Sequence, residues 1–542
     1  MAVQRQVTAT DSFSRHHRLA RLILAACLVL FAVRAYASLR QESATFDETN
    51  YFGIGKYLLQ TGRWDVPGAI LHPPFFYYLS SLPLLLVETD RTIWRSEPGR
   101  ASDLAYLAGG DIPRGQALLS GPANRDDWLL TCSRLTTVAT AVLLGGAVFA
   151  WSRRLYGPWS AGLAAILVTF CPNIMAHARL VTPDISVTTF SFIAIYGLWR
   201  LLHTGALWPS VFGGISLGLA LLSKFTAVLL LPTILALVLL WRVAKGKTNW
   251  LGCAVLVGFG LVILFAGYGG DLTPFWRGIE VQRAIASEGH ASFLFGETST
   301  SGWWYYALVA FLVKTPLPVL ALIAMALVMS VARMRSTAEW VDLTFLLAPV
   351  LIILVFFSVG RQSIGLRYIL PIFPFLFVFS SQVLRSGAQG RTWLRGAVAA
   401  LACWAVAASL WIYPHFLAYF NESVGGPKAG YKVLVDSNLD WGQGLKHLKS
   451  FMTTHHIDKV ALSYFGTDAP ERFGIDYVAL PSLMLLNPAA YQERPDLNGW
   501  FAISATNLQG VYFEGQDPYA RFRTRTPDAV IGYSIFLYRG LR

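Results

Sequence analysis

Thr45-Phe46-Asp47-Glu48-Thr49-Asn50-Tyr51, followed at a distance by His72-Pro73-Pro74-Phe75-Phe76-Tyr77-Tyr78, is the stretch from which the rest of the chain is read. It lies beyond the first long apolar run, about Leu19 to Ser38. Two adjacent carboxylates therefore stand just outside a predicted membrane span. Working outward, most other notable ionisable residues also fall at span edges, on the same predicted side. This pattern predicts an active site at the outer membrane surface, with the spans as its scaffold.

The composition supports a membrane chain. Of 542 residues, 54% are hydrophobic and 14% charged, where a soluble domain carries about 25% charged residues. Apolar runs of about 18 residues or more recur along most of the length, long enough to cross a bilayer as helices. Strict alternation, the mark of a membrane barrel, is absent. The formal net charge is +13, yet Lys and Arg cluster in short loops between apolar runs. That is positive-inside bias rather than a nucleic-acid surface, and no nucleic-acid partner is expected. The cysteines, Cys27, Cys132, Cys171, Cys253 and Cys403, show neither pairing nor metal spacing. Arg15, Arg18 and Arg21 lead into the first run without a small-residue cleavage site, so no cleavable signal is expected.

The basic residues before span one place the N-terminus in the cytoplasm. Pro73 to Val87 is apolar but short, and is predicted to lie in the outer interface rather than to span. Span two covers about Leu129 to Trp151, span three Ala161 to Pro172, span four Ile185 to Leu202 and span five Val211 to Leu222. Spans six and seven follow at Phe225 to Trp241 and Trp250 to Tyr268, span nine at Val341 to Val359 and span eleven at Ala397 to Tyr413. Spans eight and ten end near Arg333-Arg335 and at Arg385, Arg391 and Arg395. With about eleven spans, the basic loops after the even-numbered ones all face the cytoplasm. After Pro414 polar residues rise. Tyr431 to Val435, Val460 to Tyr464, Ala502 to Ser504 and Ser534 to Tyr538 are predicted strands, and Gly444 to His455 a helix. The expected division is a transmembrane domain over 1–414, with its first external loop at 39–128, and an extracytoplasmic soluble α/β domain over 415–542.

Helix capping explains Asp47, Glu48 or Asp184 taken singly: each sits where a helix start would welcome a carboxylate. Their common side points instead to chemistry, because a carboxylate partly withdrawn from water can accept a hydroxyl proton. Lys224, Arg361 and Arg367 fall at predicted outer ends, against the cytoplasmic bias. Singly they read as snorkelling side chains; together they offer a cationic surface for a phosphate. Trp303-Trp304-Tyr305-Tyr306 reads as an interfacial belt. Lys314 lies inside an apolar run, and Asp436 to Gln443 reads as a turn or a ligand loop.

At these residues the chain resembles the GT-C membrane glycosyltransferases, and among them the phospholipid-carrier-dependent protein O-mannosyltransferase and aminoarabinose-transferase kind. Phe46-Asp47-Glu48 with Tyr51 is similar to their first-loop acidic motif. His72-Pro73-Pro74 is similar to the Pro-Pro motif that follows, where relatives often carry Lys. Ala178-Arg179 through Pro183-Asp184 is similar to the second acidic motif. Gly302 to Tyr306 through Lys314-Thr315-Pro316, Arg367-Tyr368 with Pro371, and Asp436 to Gln443 resemble stretches of bacterial members. The resemblance implies a GT-C-like α-helical polytopic fold in the cell (inner) membrane. It implies an inverting hexosyl or pentosyl transfer from a polyprenyl-phosphate-linked sugar donor to a hydroxyl of a protein, lipid or glycan acceptor on the outer face. Under it Asp47 is the candidate base and Glu48 its catalytic neighbour. His72, Asp184, Lys224, Arg361, Arg367 and Tyr368 bind substrate. Such enzymes vary in metal use; a divalent metal is compatible with the resemblance, but no metal-ligand set stands out. The competing readings are a secondary transporter, which would place charges near the midplane on repeated broken helices, and a receptor-like membrane protein that works through its tail.

Overall fold

A computed structural model of the chain describes residues 2–88, 112–333, 337–360, 363–385, 392–484, 499–513, 515 and 517–540. Among these residues, seven helices are long and apolar enough to cross a membrane, or nine if each of two bent pairs counts as one span. The pairs are Pro158–Thr169 with Pro172–Ala178, bent by 57°, and Tyr306–Lys314 with Leu317–Ala332, bent by 110°. Two shorter apolar helices, Trp208–Leu221 and Ile372–Leu384, occupy the places of predicted spans five and ten. The fold is thus the helical, multi-pass membrane architecture expected from the apolar runs.

Proline causes both bends. It disfavours helical geometry at the residue before it. Cys171, ahead of Pro172, is extended at φ −73° and ψ 118°; Thr315, ahead of Pro316, is extended at φ −89° and ψ 130°. The carbonyls freed at the second break find side-chain donors. Asn173 Nδ2 donates to Lys314 O at 2.8 Å, and Asn421 Nδ2 donates to Leu312 O at 2.6 Å and Thr315 O at 2.8 Å. Lys314, buried, donates to Leu417 O at 2.8 Å and to Asn438 O. These bonds tie the second break to the tail.

The helix Asp184–Thr204 is the hub and is buried along nearly its whole length. It meets Trp208–Leu221 so closely at Gly197 that an added Cβ would stand 2.6 Å from Gly213 Cα. The segment after the first membrane helix holds the helices Phe46–Tyr51, Ile54–Thr61 and Phe75–Ser81 and the 3-10 turn Pro83–Leu86. None is long enough to span, in keeping with the interfacial reading of Pro73 to Val87. The polar stretch after Tyr268 folds into a helix, Thr273–Glu288, and an antiparallel hairpin of β1 (Ser292–Leu294) and β2 (Glu297–Ser299); neither was expected.

The tail forms a five-stranded mixed sheet. Its strands are β3 (Lys459–Ser463), β4 (Asp476–Ala479), β5 (Trp500–Ser504), β6 (Ala529–Ile531) and β7 (Ile535–Arg539), in the order β4-β3-β5-β7-β6. β3 runs parallel to β4 and β5; β7 runs antiparallel to β5 and β6. The helix Leu445–Thr454 covers one face through Leu445, Leu448 and Met452. Three predicted strands and the helix fall on these elements. Tyr431 to Val435 does not: it is a turn followed by an irregular segment. Val433, Leu434 and Val435 are buried there, and Val433 O accepts from Phe295 N at 3.1 Å. The run is apolar because it lies inside the junction between tail and membrane helices, and their buried residues form one continuous core.

Candidate functional site

The site begins with a six-residue helix, Phe46–Tyr51. Thr45 precedes it, and Glu48 caps it by accepting from Thr45 N at 2.9 Å and Thr45 Oγ1 at 3.1 Å. Glu48 also takes a fork from Arg134, with Nε to Oε1 at 2.8 Å and Nη2 to Oε2 at 2.6 Å, and the Val181 amide at 2.8 Å. The same guanidinium donates to the carbonyls of Leu39, Glu42 and Ser43. Burial alone would raise the Glu48 pKa, but the Arg134 charge and these donors hold it below its ordinary value. Glu48 is 0% exposed, so the expected catalytic partner of Asp47 is a tie that shapes the loop.

One residue back, a turn of about 100° sends Asp47 to another side of the helix. Asp47 Oδ2 accepts from Arg367 Nη1 at 2.6 Å, and its side chain keeps 18% exposure. Arg367 stands on the 3-10 turn Leu366–Ile369, whose Leu366 amide donates to Asn438 Oδ1 at 2.9 Å. Its guanidinium lies 4.4 Å from the Trp441 ring centre and 5.3 Å from that of Tyr368. Trp441 belongs to the tail, which reaches the loop directly. Phe46 N donates to Trp441 O at 2.8 Å, Ala44 N to Asp468 Oδ2 at 2.9 Å, and Thr467 Oγ1 to Phe46 O at 2.8 Å.

A second ion pair stands beside the first. Lys224 occupies an extended link, φ −154° and ψ 140°, between Trp208–Leu221 and the turn Phe225–Leu229. Its Nζ donates to Asp184 Oδ1 at 2.8 Å and lies 4.6 Å from the Tyr368 ring centre. Asp184 opens the hub helix and is fully buried; its Oδ2 has no hydrogen-bond partner among the described residues. His72 Nε2 sits 2.9 Å from the Tyr51 hydroxyl. Burial, and then the Lys224 charge, push the His72 pKa down to about 3. His72 is therefore a neutral hydrogen-bonding group, unlike the lysine of the resembled motif.

Asp47, Arg367, Asp184, Lys224 and Tyr368 are thus brought together, with His72 at their side. Arg361 lies outside the described residues. The Trp303–Tyr306 cluster divides: Trp304 is exposed, while Tyr306 is buried and its hydroxyl accepts from Asn438 Nδ2 at 3.0 Å. Sequence reasoning missed Trp441, although it lies within the quoted Asp436–Gln443 stretch. It also missed Arg134, although a charge within the first turns of an apolar run was a signal. A small, mostly apolar pocket adjoins Tyr368 between helices, lined also by Val187, Leu230, Thr233, Phe357, Pro371 and Phe375. Among the described residues, no three His, Cys, Asp or Glu side chains stand together as a metal set. The arrangement offers two carboxylates, two fixed cations and an adjoining small apolar pocket.

Residues 129–267 match the family described as dolichyl-phosphate-mannose-protein mannosyltransferase. That span carries Arg134, Asp184 and Lys224, and over it the match supports the GT-C resemblance read from the motifs. Curated proteins give no match. Among solved structures, the chain is similar to ArnT from Cupriavidus metallidurans bound to undecaprenyl phosphate, with TM-score 0.48, 13% identity, and coverage of 95% of this chain and 97% of that one. The apo form of ArnT gives 0.49 and 12%, with the same coverage. AglB, the oligosaccharyltransferase of Archaeoglobus fulgidus, in complex with an inhibitory peptide and a dolichol-phosphate, gives 0.42 and 14%, over 71% of this chain and 56% of that one.

Proposed function

We propose that the protein is a membrane glycosyltransferase that moves a sugar from a polyprenyl-phosphate carrier to an acceptor hydroxyl on the outer face of the cell (inner) membrane. The observation that carries this reading is the pair of ion pairs, Asp47–Arg367 at 2.6 Å and Asp184–Lys224 at 2.8 Å, set about one ring, Tyr368, which adjoins a small apolar pocket. A lipid phosphate needs those two things side by side: fixed cations for its head and apolar lining for its chain. The site is also built jointly by the Asp47 loop and the tail, which favours a common side for both. The sequence charge pattern makes that side the outer one.

The chemistry follows from the charges. The incoming phosphate competes with Asp47 for Arg367 and draws that guanidinium, and Lys224, onto its own oxygens. Asp47, released from its partner, accepts the proton of the acceptor hydroxyl. The acceptor oxygen attacks the anomeric carbon from the face opposite the phosphate. The carbon–oxygen bond to phosphate breaks as the new glycosidic bond forms, with inversion. The electron pair stays on the phosphate oxygen, where Lys224 and Arg367 meet the growing charge. Tyr368 is the floor against which both cations lie. The test is purified protein in nanodiscs, supplied with polyprenyl-phosphate-linked sugars and a mixed acceptor extract. Acceptor-dependent release of polyprenyl phosphate is expected. Equal transfer from a nucleotide sugar without the lipid donor would overturn the reading.

A further inference from the structure

Building on that donor reading, we propose that His177, together with Asp184, reads a hydroxyl of the transferred sugar and so sets donor specificity. His177 closes the half-helix Pro172–Ala178, just past the proline bend, and is 2% exposed. Its ring centre lies 6.4 Å from that of Trp441, the ring that also carries Arg367. Asp184, Arg367, Lys314 and Lys224 are its charged neighbours.

The argument rests on polar atoms left over. His177 Nδ1, Asp184 Oδ2, Thr182 Oγ1 and Arg367 Nε are all buried without a hydrogen-bond partner among the described residues. Buried polar groups are nearly always paired, because an orphan forfeits its hydration without compensation. Such orphans occur elsewhere in the chain too; these are set apart by place, since Asp184 and Arg367 make the two ion pairs, Thr182 stands two residues before Asp184, and His177 has both ion-pair residues among its charged neighbours. The phosphate claims Lys224 and Arg367. An imidazole nitrogen and a carboxylate oxygen remain for the rest of the donor. A sugar hydroxyl fits both at once, donating to the carboxylate and bonding to the imidazole. The proline bend explains how the chain delivers this residue: it turns the half-helix that carries His177 by 57° from the line of the preceding helix.

The experiment uses the full chain in nanodiscs with polyprenyl-phosphate mannose, glucose, galactose and arabinose, then the monodeoxy analogues of whichever donor turns over best. Wild type is expected to reject one analogue by at least about tenfold, as a site built to bond a hydroxyl rejects its absence. In His177→Phe, the parent sugar should fall to the level of that analogue, erasing the discrimination. His177→Gln, which keeps a polar group, should restore part of it and serves as the readout if the Phe variant does not fold. An equal loss on every analogue would assign His177 to packing alone, and unchanged rates would remove it from the site; either result overturns the proposal while wild-type transfer still stands. Absence of wild-type transfer from all four donors would instead overturn the donor reading beneath it.

Discussion

Asp47 and Glu48 are neighbours in sequence, and their substitutions should fail in opposite ways. Glu48→Gln keeps the shape but puts an amide where five donors converge: Arg134 Nε and Nη2, the Thr45 and Val181 amides, and the Thr45 hydroxyl. Whichever way the amide turns, its NH2 faces a donor, and the buried Arg134 loses its counter-charge. Removing one member of a buried, hydrogen-bonded pair costs about 3–5 kcal/mol, so Glu48→Gln should unfold at clearly lower temperature and express poorly. Asp47→Asn removes one contact from a side chain that keeps 18% exposure, so its melting should stay near wild type while transfer falls by about 100- to 10,000-fold, the usual worth of a general base. The assay is thermal unfolding by tryptophan fluorescence beside donor turnover, all variants in one detergent. Glu48→Gln with Arg134→Met should recover part of the lost stability, since removing both partners leaves no stranded charge. The folded-state pKa of Glu48 lies below its ordinary value of 4.5. Its stabilisation is therefore complete above that value and fades as pH falls below it, and the Gln variant should lack this acid limb. If Glu48→Gln melts like wild type yet loses transfer as Asp47→Asn does, Glu48 acts on substrate and the structural assignment is wrong.

Lys224→Ala and Arg367→Ala should each weaken donor use by about tenfold or more in donor titrations, since charge-assisted contacts are worth about 1.5–3 kcal/mol. Arg367→Lys should rescue only partly, because an ammonium neither forks onto phosphate nor stacks as a plane on Trp441. A reporter that is active only in the cytoplasm, fused after Arg542, should remain inactive; activity there would invert the topology. Burial raises the Asp440 pKa to about 7, so the fold favours its protonated form. That stabilisation is present below the ordinary value of 3.8 and is lost as pH rises through about 7. Asp440→Asn, which mimics the protonated acid, should therefore be more stable than wild type at pH above about 7 and lose this pH dependence, as followed by melting across a pH series.

The membrane helices were legible because apolar length and loop charge are local signals, readable one run at a time. The bends were half legible. Pro172 and Pro316 stand in the sequence, but the side chains that repair the broken backbone become meaningful only once distant segments meet: Asn173 from the first bent pair and Asn421 from the tail. Tyr431 to Val435 was misread for a related reason. Three consecutive apolar residues, Val433 to Val435, read the same in a sheet and in a buried junction, and only the packing partner decides. In the site, Asp184, Lys224 and Arg367 could be picked out because charge at a span edge is costly and so needs a reason. Their pairing could not, because it joins residues 40 and 320 positions apart.

The adjacent acids show where such reasoning stops. Sequence places Asp47 and Glu48 together, and helix geometry separates them by a rotation that no composition reveals. Whether a carboxylate becomes a tie or a base then depends on what the other segments supply. Arg134 and Val181 close over Glu48, while among the described residues the ion-pair partner of Asp47 is Arg367. The same holds for the tail. It contributes Trp441 beneath Arg367 and holds the start of the Asp47 helix, so the Arg367 guanidinium is oriented by the tail and not by the membrane helices alone. A loop held at its start by the tail keeps Asp47 beside Arg367. Under the proposed donor reading, a phosphate would exchange this standing ion pair rather than assemble its site.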